Sequence, residues 1–322
     1  MQPEASARTP LSKKESDSAV NDRWPPTNDA PVSESVVIAS LVHEAGPSAP
    51  NRRWTGRLVV LIVVLLVMGP ILYAGLPHEI ASWYAAAAFE KRLNGDFDGA
   101  FELLERGLTW DPEDASNYQL RADWKLARQD YPGCVADCER ALELEPKNPG
   151  ALTVRSQAFQ HLGRHREAIA DWDQIVKMYR GGSSNARATS LNGVAYAQAV
   201  GSIDLDKALD NIEQALRLVP SNAAMLDTRG YIRLLNGDLK EAKEDLDLAV
   251  GMVDEQLRKL EALTEYIDRR EYLLTVQQER QGAAVIWYHR ALLSDELGDS
   301  RQAEADRRRI RGLGFEPQAG LF

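Results

Sequence analysis

The pattern of apolar and polar positions changes twice along the chain. Few large apolar residues occur before residue 57, and an unbroken apolar run then extends from Leu58 to Leu76. After about residue 80, apolar residues recur every three or four positions among charged ones. That spacing is typical of amphipathic helices packed on one another. The pattern therefore predicts a polar tail, one apolar helix and a helical domain.

The run over 58–76 has nineteen residues and no charged side chain. At 1.5 Å per residue a helix of this length extends about 28 Å, close to the roughly 30 Å hydrocarbon core of a bilayer. We therefore predict a single transmembrane helix, in which Gly69 and Pro70 are tolerated. A cleaved signal peptide is disfavoured, because about 57 residues precede the run and such leaders are short.

Arginines before the apolar run predict its orientation. Arg52, Arg53 and Arg57 precede it, whereas no Lys or Arg follows it closely. By the positive-inside rule the N-terminus is expected in the cytoplasm and the helical domain on the other side of a membrane. A bacterial inner membrane is the default expectation. The tail, residues 1–56, holds seven of the fifteen prolines and eight serines, a composition that predicts disorder.

A period near 34 residues organises the chain after residue 80. Copies begin at residues 81, 115, 149, about 188, 223 and 284. The clearest copy, Ala115 to Asn148, places small, bulky and turn residues at fixed positions: Tyr118, Ala122, Tyr131, Cys134, Cys138, Ala141 and Pro146. Tandem units of this length, each too small to form a core alone, predict a repeat solenoid.

The period resembles the tetratricopeptide repeat (TPR) family, in which each unit is a pair of antiparallel helices. Small residues at the eighth and twentieth positions let the two helices approach closely, and a proline near the thirty-second ends the unit. The resemblance implies an all-α, right-handed solenoid. It predicts repeats 1–3 in residues 79–180, repeats 4–5 in 186–252, and a sixth repeat with capping helices in 284–316.

Residues 253–282 interrupt the period between the fifth and sixth copies. Apolar residues at three-to-four spacing among many charges predict an amphipathic helix there. It is expected to prolong the second helix of the fifth repeat and then fold back. Packing against the solenoid and binding of a partner are both compatible with this pattern.

Few residues suggest catalysis, redox chemistry or metal binding. No nucleotide-binding or hydrolase motif occurs. Cys134 and Cys138 occupy core positions of a repeat, so packing is expected rather than redox or metal chemistry. His161 and His165 have the spacing of a metal-binding pair, but Gly163 between them predicts a turn. Carboxylates on the repeat helices are expected to be solvated. We expect no catalytic residue, metal or cofactor, and no enzyme activity.

The resemblance also implies where a ligand binds. TPR arrays bind peptides or helices in a concave groove lined by the first helix of each unit, and the second, fifth, ninth and twelfth positions face it. The candidates at these positions are Gln157, Asn192, Tyr196, Asp227, Tyr231 and Tyr288. Some of these tyrosines could instead fill the interior of the superhelix. The Lys and Asn clamp with which some TPR domains hold a terminal carboxylate is missing.

The net charge of the chain indicates which kinds of partner are disfavoured. The 322 residues include 38 Lys and Arg against 48 Asp and Glu, a net charge of -10. An acidic balance argues against nucleic acid as a partner. We expect a membrane-anchored scaffold that binds a protein or peptide in its groove. A non-catalytic accessory subunit of a membrane or envelope enzyme or secretion assembly is the alternative, and a self-associating architectural protein is a further one.

Overall fold

The computed structural model describes residues 52–262 and 269–317, and in these ranges every regular element is an α-helix. Residues 1–51 of the predicted disordered tail lie outside the described residues. The helices are α1 (Arg52–Leu93), α2 (Phe97–Trp110), α3 (Ala115–Ala127), α4 (Tyr131–Leu144), α5 (Pro149–His161), α6 (His165–Met178), α7 (Ser184–Val200), α8 (Leu205–Leu218), α9 (Ala223–Asn236), α10 (Leu239–Ala262), α11 (Arg269–Glu296) and α12 (Ser300–Gly312).

Two compact units divide the chain, Met1–Met68 and Gly69–Phe322. In the second unit, consecutive helices pack as hairpins: α3 with α4, α5 with α6, α7 with α8, α9 with α10, and α11 with α12. First helices of neighbouring hairpins also touch, α3 with α5, α7 with α9, and α9 with α11. The first helices of these neighbouring hairpins therefore lie side by side, as the repeat period predicts.

Polar caps explain where most of these helices begin. A side-chain oxygen accepts a hydrogen bond from the backbone N–H three residues further on at Asp96, Asp114, Asp130, Asn148, Asp204, Asn222 and Asp299. Each such cap stabilises a helix by about 1 kcal/mol. Several turns inside the hairpins contain a glycine with positive φ, as at Gly163 and Gly237. The cap residues and the turn glycines therefore determine where these helices begin and end.

Small residues hold the two helices of each hairpin close together. The eighth and twentieth positions are completely buried in most repeats, as at Ala88 with Ala100 and Ala122 with Cys134. In the fifth repeat the eighth position is Gly230, where an added Cβ would lie 2.7 Å from the Leu246 side chain. Close packing of backbones at these crossings explains why the period requires small side chains there.

An arginine–aspartate pair joins the two helices in four of the hairpins. Arg155 on α5 donates from Nε and Nη2 to both carboxylate oxygens of Asp171 on α6, at 2.9 and 2.7 Å. The same bidentate geometry, at the same separation of sixteen residues, recurs in three further pairs: Arg121 with Asp137, Arg229 with Asp245, and Arg290 with Asp306. The hydrogen bonds to Asp171 raise the pKa of Arg155. Bidentate charge-assisted bonds fix orientation as well as distance.

The expectation that repeat carboxylates are solvated is wrong for these four aspartates. All are buried, with exposures from 0% for Asp306 to 5% for Asp137. A buried carboxylate needs a hydrogen-bonded partner of opposite charge, and the arginine supplies it. Exposed pairs on one helix also occur, such as Lys243 with Asp247.

The fourth repeat lacks the pair. Its equivalent positions are Val194, which is buried, and Asn211, whose amide donates to Gln198 at 3.0 Å. An apolar residue and a neutral polar residue therefore occupy the two positions that hold the charged pair in the other four repeats. This natural replacement provides a control for the charged pairs.

The apolar run is helical but does not form one straight span. Among the described residues, no single helix is long and apolar enough to cross a membrane, so the expected single transmembrane helix is not supported. One bent pair, Gly56–Pro70 with Gly75–Leu93, has the necessary length and composition. Helix α1 contains Pro70 and Pro77, and a proline inside a helix removes a hydrogen bond and favours a bend.

The inserted segment packs on the last hairpin. Helix α10 continues to Ala262 and α11 begins at Arg269, so the segment supplies the end of one helix and the beginning of the next. The Trp287 indole donates to Asp254 at 3.2 Å, and Arg309 lies 3.8 Å over the Trp287 ring while also pairing with Asp254. Residues 263–268, with Leu263 and Ile267 of the predicted amphipathic helix, lie outside the described residues.

Candidate protein-binding surface

Four of the six predicted groove residues come together on three successive first helices. Tyr196 lies on α7, Asp227 and Tyr231 on α9, and Tyr288 on α11. The ring centres of Tyr196 and Tyr231 are 6.4 Å apart. Because α9 contacts both α7 and α11, these side chains belong to one surface, which we call the aromatic patch (Tyr196, Tyr231, Tyr288 and His289).

His289 is the centre of the aromatic patch. Its ring stacks on Tyr231 at 4.2 Å and an interplanar angle of 10°, and lies 6.1 Å from the rings of both Tyr196 and Tyr288. Its Nδ1 lies 2.9 Å from both carboxylate oxygens of Asp227. The ring is therefore fixed between a carboxylate and three tyrosines.

Asp227 supports the patch from beneath and does not line a groove. Its exposure is 3%, and that of His289 is 0%. A ligand on the surface therefore cannot reach the carboxylate, whereas a hydrogen bond from His289 satisfies it. The sequence predicted that Asp227 contacts a ligand, but in the structure it is buried against His289 of α11 and supports the patch.

The tyrosines differ in how enclosed they are. Burial raises the pKa of Tyr196 well above its ordinary value, and raises those of Tyr231 and Tyr288 as well. All three hydroxyls are therefore neutral at physiological pH. Tyr196 is the most enclosed of the three tyrosines, and Tyr288 is the least enclosed. Aromatic side chains of this kind provide flat, rigid contact area for a protein ligand.

The two predicted amides lie outside the aromatic patch. Gln157 is exposed on α5, and Asn192 lies one turn before Tyr196 on α7. The Oδ1 atom of Asn192 is buried without a hydrogen-bond partner among the described residues. An unsatisfied buried acceptor is costly, and the burial of this atom keeps it out of reach of a ligand on the surface.

Sequence reasoning missed His289. It occupies the sixth position of the last repeat, next to the predicted Tyr288, and the repeat pattern gives the sixth position no ligand role. The signal available was the histidine itself, since an imidazole next to a patterned tyrosine and opposite Asp227 is an unusual core residue. The pairing spans 62 residues, which periodicity within one unit cannot indicate.

The other candidate side chains are packed into the fold. Cys134 and Cys138 are free and fully buried, and the hydrogen bond between them together with burial raises the pKa of the Cys138 thiol. His161 stacks on Tyr131 at 4.4 Å, and the Nδ1 atom of His165 is buried. These contacts fit packing better than redox or metal chemistry.

Comparisons with known proteins agree with the helical repeat fold. The Hsp70/Hsp90 co-chaperone CNS1 of Saccharomyces cerevisiae is 34% identical over 110 residues, which are 33% of this chain and 29% of that protein. Tetratricopeptide repeat protein 28 of Mus musculus is 35% identical over 77 residues, 24% of this chain and 3% of that protein. This chain thus spans less than a third of the length of either relative. No protein-family model matches it.

A solved structure shares the fold. PilW, a widely conserved type IV pilus biogenesis factor, aligns over 72% of this chain and 93% of its own, with a TM-score of 0.53 and 14% identity. Fold, period and relatives define a solenoid of helical hairpins. The chain has the fold of tetratricopeptide repeat proteins and is similar in sequence to them over part of its length.

Proposed function

We propose that this protein is a non-catalytic scaffold that binds a protein or peptide along the first helices of its last three repeats. The aromatic patch is the observation that carries the proposal. Three neighbouring helices place tyrosines around one buried histidine, and interface hot spots are rich in such partly enclosed aromatic residues. Gln157 offers an exposed amide two helices away, on α5.

Rigidity favours the patch as a binding surface. The Asp227–His289 hydrogen bond and the stacked Tyr231 ring fix the surrounding side chains before a partner arrives. A preorganised surface loses less conformational entropy on binding than a mobile one. Tyr288, the least enclosed of the three patch tyrosines, is the expected contact residue.

Substitution of Tyr288 with alanine tests the patch. Peptides selected from a random library against the full chain should bind Tyr288→Ala at least about tenfold more weakly, because truncation of a hot-spot aromatic residue costs about 2 kcal/mol or more. Leu248→Ala is the matched control, since Leu248 is 55% exposed on α10, a second helix. Isothermal titration calorimetry measures both. Equal affinities for the two variants would place binding elsewhere.

We further propose that the apolar part of α1 anchors the protein in a membrane. Eleven consecutive large apolar side chains, residues 58–68, are between 45% and 69% exposed. Exposed apolar surface costs about 25 cal/mol per Å² in water, and a bilayer removes that cost. The bent pair in α1 has the length and composition of a broken span. With Arg52, Arg53 and Arg57 before it, the tail faces the cytoplasm and the repeats lie on the other side.

Fractionation and protease protection test this anchor. Introducing glutamate at Val60, Val64 and Val67 should move the full chain out of the membrane fraction, because each central charge costs about 2.5–3.5 kcal/mol on insertion. For the parent chain, protease added outside spheroplasts should digest the repeats and spare the tail. Membrane retention of the triple variant would contradict the anchor, and digestion of the tail alone would reverse the orientation.

A co-chaperone adaptor is a second candidate, favoured by the similarity to the yeast Hsp70/Hsp90 co-chaperone. Binding of purified Hsp70 and of purified Hsp90 to the full chain, each measured separately, distinguishes a co-chaperone adaptor from a scaffold for another protein. Saturable binding that is lost in Tyr288→Ala would make a chaperone the partner of the patch. Absence of binding to both would leave the scaffold proposal with a different protein ligand.

A further inference from the structure

A histidine and two aspartates converge at the connection between α2 and α3. His78 on α1 places Nδ1 3.0 Å from Oδ2 of Asp111 and 3.8 Å from Oδ2 of Asp114. All three donor atoms lie within 4.8 Å of one another. Among the described residues this is the one group of His, Cys, Asp and Glu side chains with such close spacing. From this geometry we propose that His78, Asp111 and Asp114 bind a divalent transition-metal ion.

The separations fit one ion between the three side chains. Zinc binds histidine nitrogen and carboxylate oxygen at about 2.0–2.2 Å. Donors at that radius are about 3.4 Å apart in a tetrahedron and about 3.0 Å apart in an octahedron. The two distances from His78 lie within about 0.4 Å of the tetrahedral value, and the two carboxylate oxygens lie within 4.8 Å of each other, so rotation of the carboxylates toward the ion completes the site.

Backbone contacts already orient both carboxylates. Oδ1 of Asp111 accepts the Glu113 N–H at 3.1 Å, and Oδ1 of Asp114 accepts the Asn117 N–H at 3.1 Å. The other oxygen of each aspartate is thereby turned toward His78. Hydrogen bonds from outside the ligand set fix metal ligands in this way in known sites.

An ion pair alone does not account for the arrangement. One carboxylate is enough to pair with His78, yet a second, Asp114, lies close by with a side-chain exposure of only 6%. Two like charges at this separation repel each other, and a doubly charged cation relieves that repulsion and balances both. The imidazole of His78 is 62% exposed, so an ion can enter and water can complete its coordination.

The donor set selects the class of ion. Calcium and magnesium prefer ligand sets made of oxygen alone, whereas imidazole with carboxylates suits zinc, cobalt, nickel or manganese. Such an ion would link α1 to the α2–α3 connection, which lie 33 residues apart in sequence. It would therefore act as a local clamp on the first repeat.

Titration of metal-free full-length protein with Zn²⁺ tests the site. We expect one high-affinity equivalent for the parent chain, and at least about tenfold weaker binding for Asp111→Asn, Asp114→Asn and His78→Gln. Asparagine keeps both backbone hydrogen bonds and remains a good N-cap, so these variants should fold. Asp130→Asn is the matched control, because Asp130 caps α4 by the same bond to Gly133 with no histidine beside it.

Binding of Co²⁺ in place of Zn²⁺ gives a second measurement. Visible absorption from bound Co²⁺ should appear in the parent chain and in Asp130→Asn, and be lost in His78→Gln. Thermal unfolding should shift upward with Zn²⁺ in the same two proteins only, because an ion that binds the folded state stabilises it. Absence of saturable Zn²⁺ binding in the parent chain, or equal affinity in all variants, would overturn the proposal.

Discussion

Replacing Asp171 with alanine is expected to destabilise the protein by about 3–5 kcal/mol, the range for breaking one side of a buried ion pair. Asp171 is 3% exposed and receives both hydrogen bonds of the Arg155 guanidinium. The substitution leaves Arg155, 18% exposed at its side chain, without this carboxylate. Urea unfolding followed by circular dichroism measures the loss.

The fourth repeat supplies the control for this substitution. The double variant Arg155→Val with Asp171→Asn copies Val194 and Asn211, which occupy the same positions there. It should cost less than Asp171→Ala, because it leaves no unpaired buried charge. If the double variant were as unstable as Asp171→Ala, the cost would come from packing and not from the unpaired charge.

Replacing Gly193 with alanine is expected to cost about 1–3 kcal/mol by overpacking. An added Cβ would lie 2.4 Å from the Trp172 ring, so the indole or helix α7 must shift. Trp172 belongs to α6 and Gly193 to α7, and their close contact joins the third repeat to the fourth. The midpoint of urea unfolding should fall accordingly.

Gly251→Ala is the matched control within the same chain. Gly251 also lies in a helix, α10, but nothing is within 4 Å of an added Cβ. Alanine there should stabilise the protein by about 0.5–1 kcal/mol, since it lowers the backbone entropy of the unfolded chain. A loss of stability equal to that of Gly193→Ala would show that the Trp172 contact is not responsible.

The period of 34 was sufficient to predict the helical hairpins, because each unit repeats the same local signals. Caps such as Asp130 and Asn148 and small residues such as Ala122 act within one unit or between neighbours. The same register placed Tyr196, Tyr231 and Tyr288 on first helices. Periodicity thus predicts which face a residue occupies.

Periodicity does not predict how deeply a residue is buried or which distant side chain it meets. Asp227 was expected to face a ligand, but His289 covers it from 62 residues away. The paired positions of Arg155 and Asp171 recur in four repeats, yet their burial depends on both helices packing together. His78 meets Asp111 only because α2 folds back along α1.

The central claim, that the first helices of the last three repeats bind a protein, is tested most directly by site-specific photo-crosslinking. The full chain carries a photoreactive phenylalanine analogue in place of either Tyr288, in the aromatic patch, or Leu248, exposed on the second helix α10. The account predicts that position 288 crosslinks to one discrete protein, that the selected peptides compete this product away, and that position 248 gives none. Equal crosslinking from both positions, or none from position 288, would contradict it.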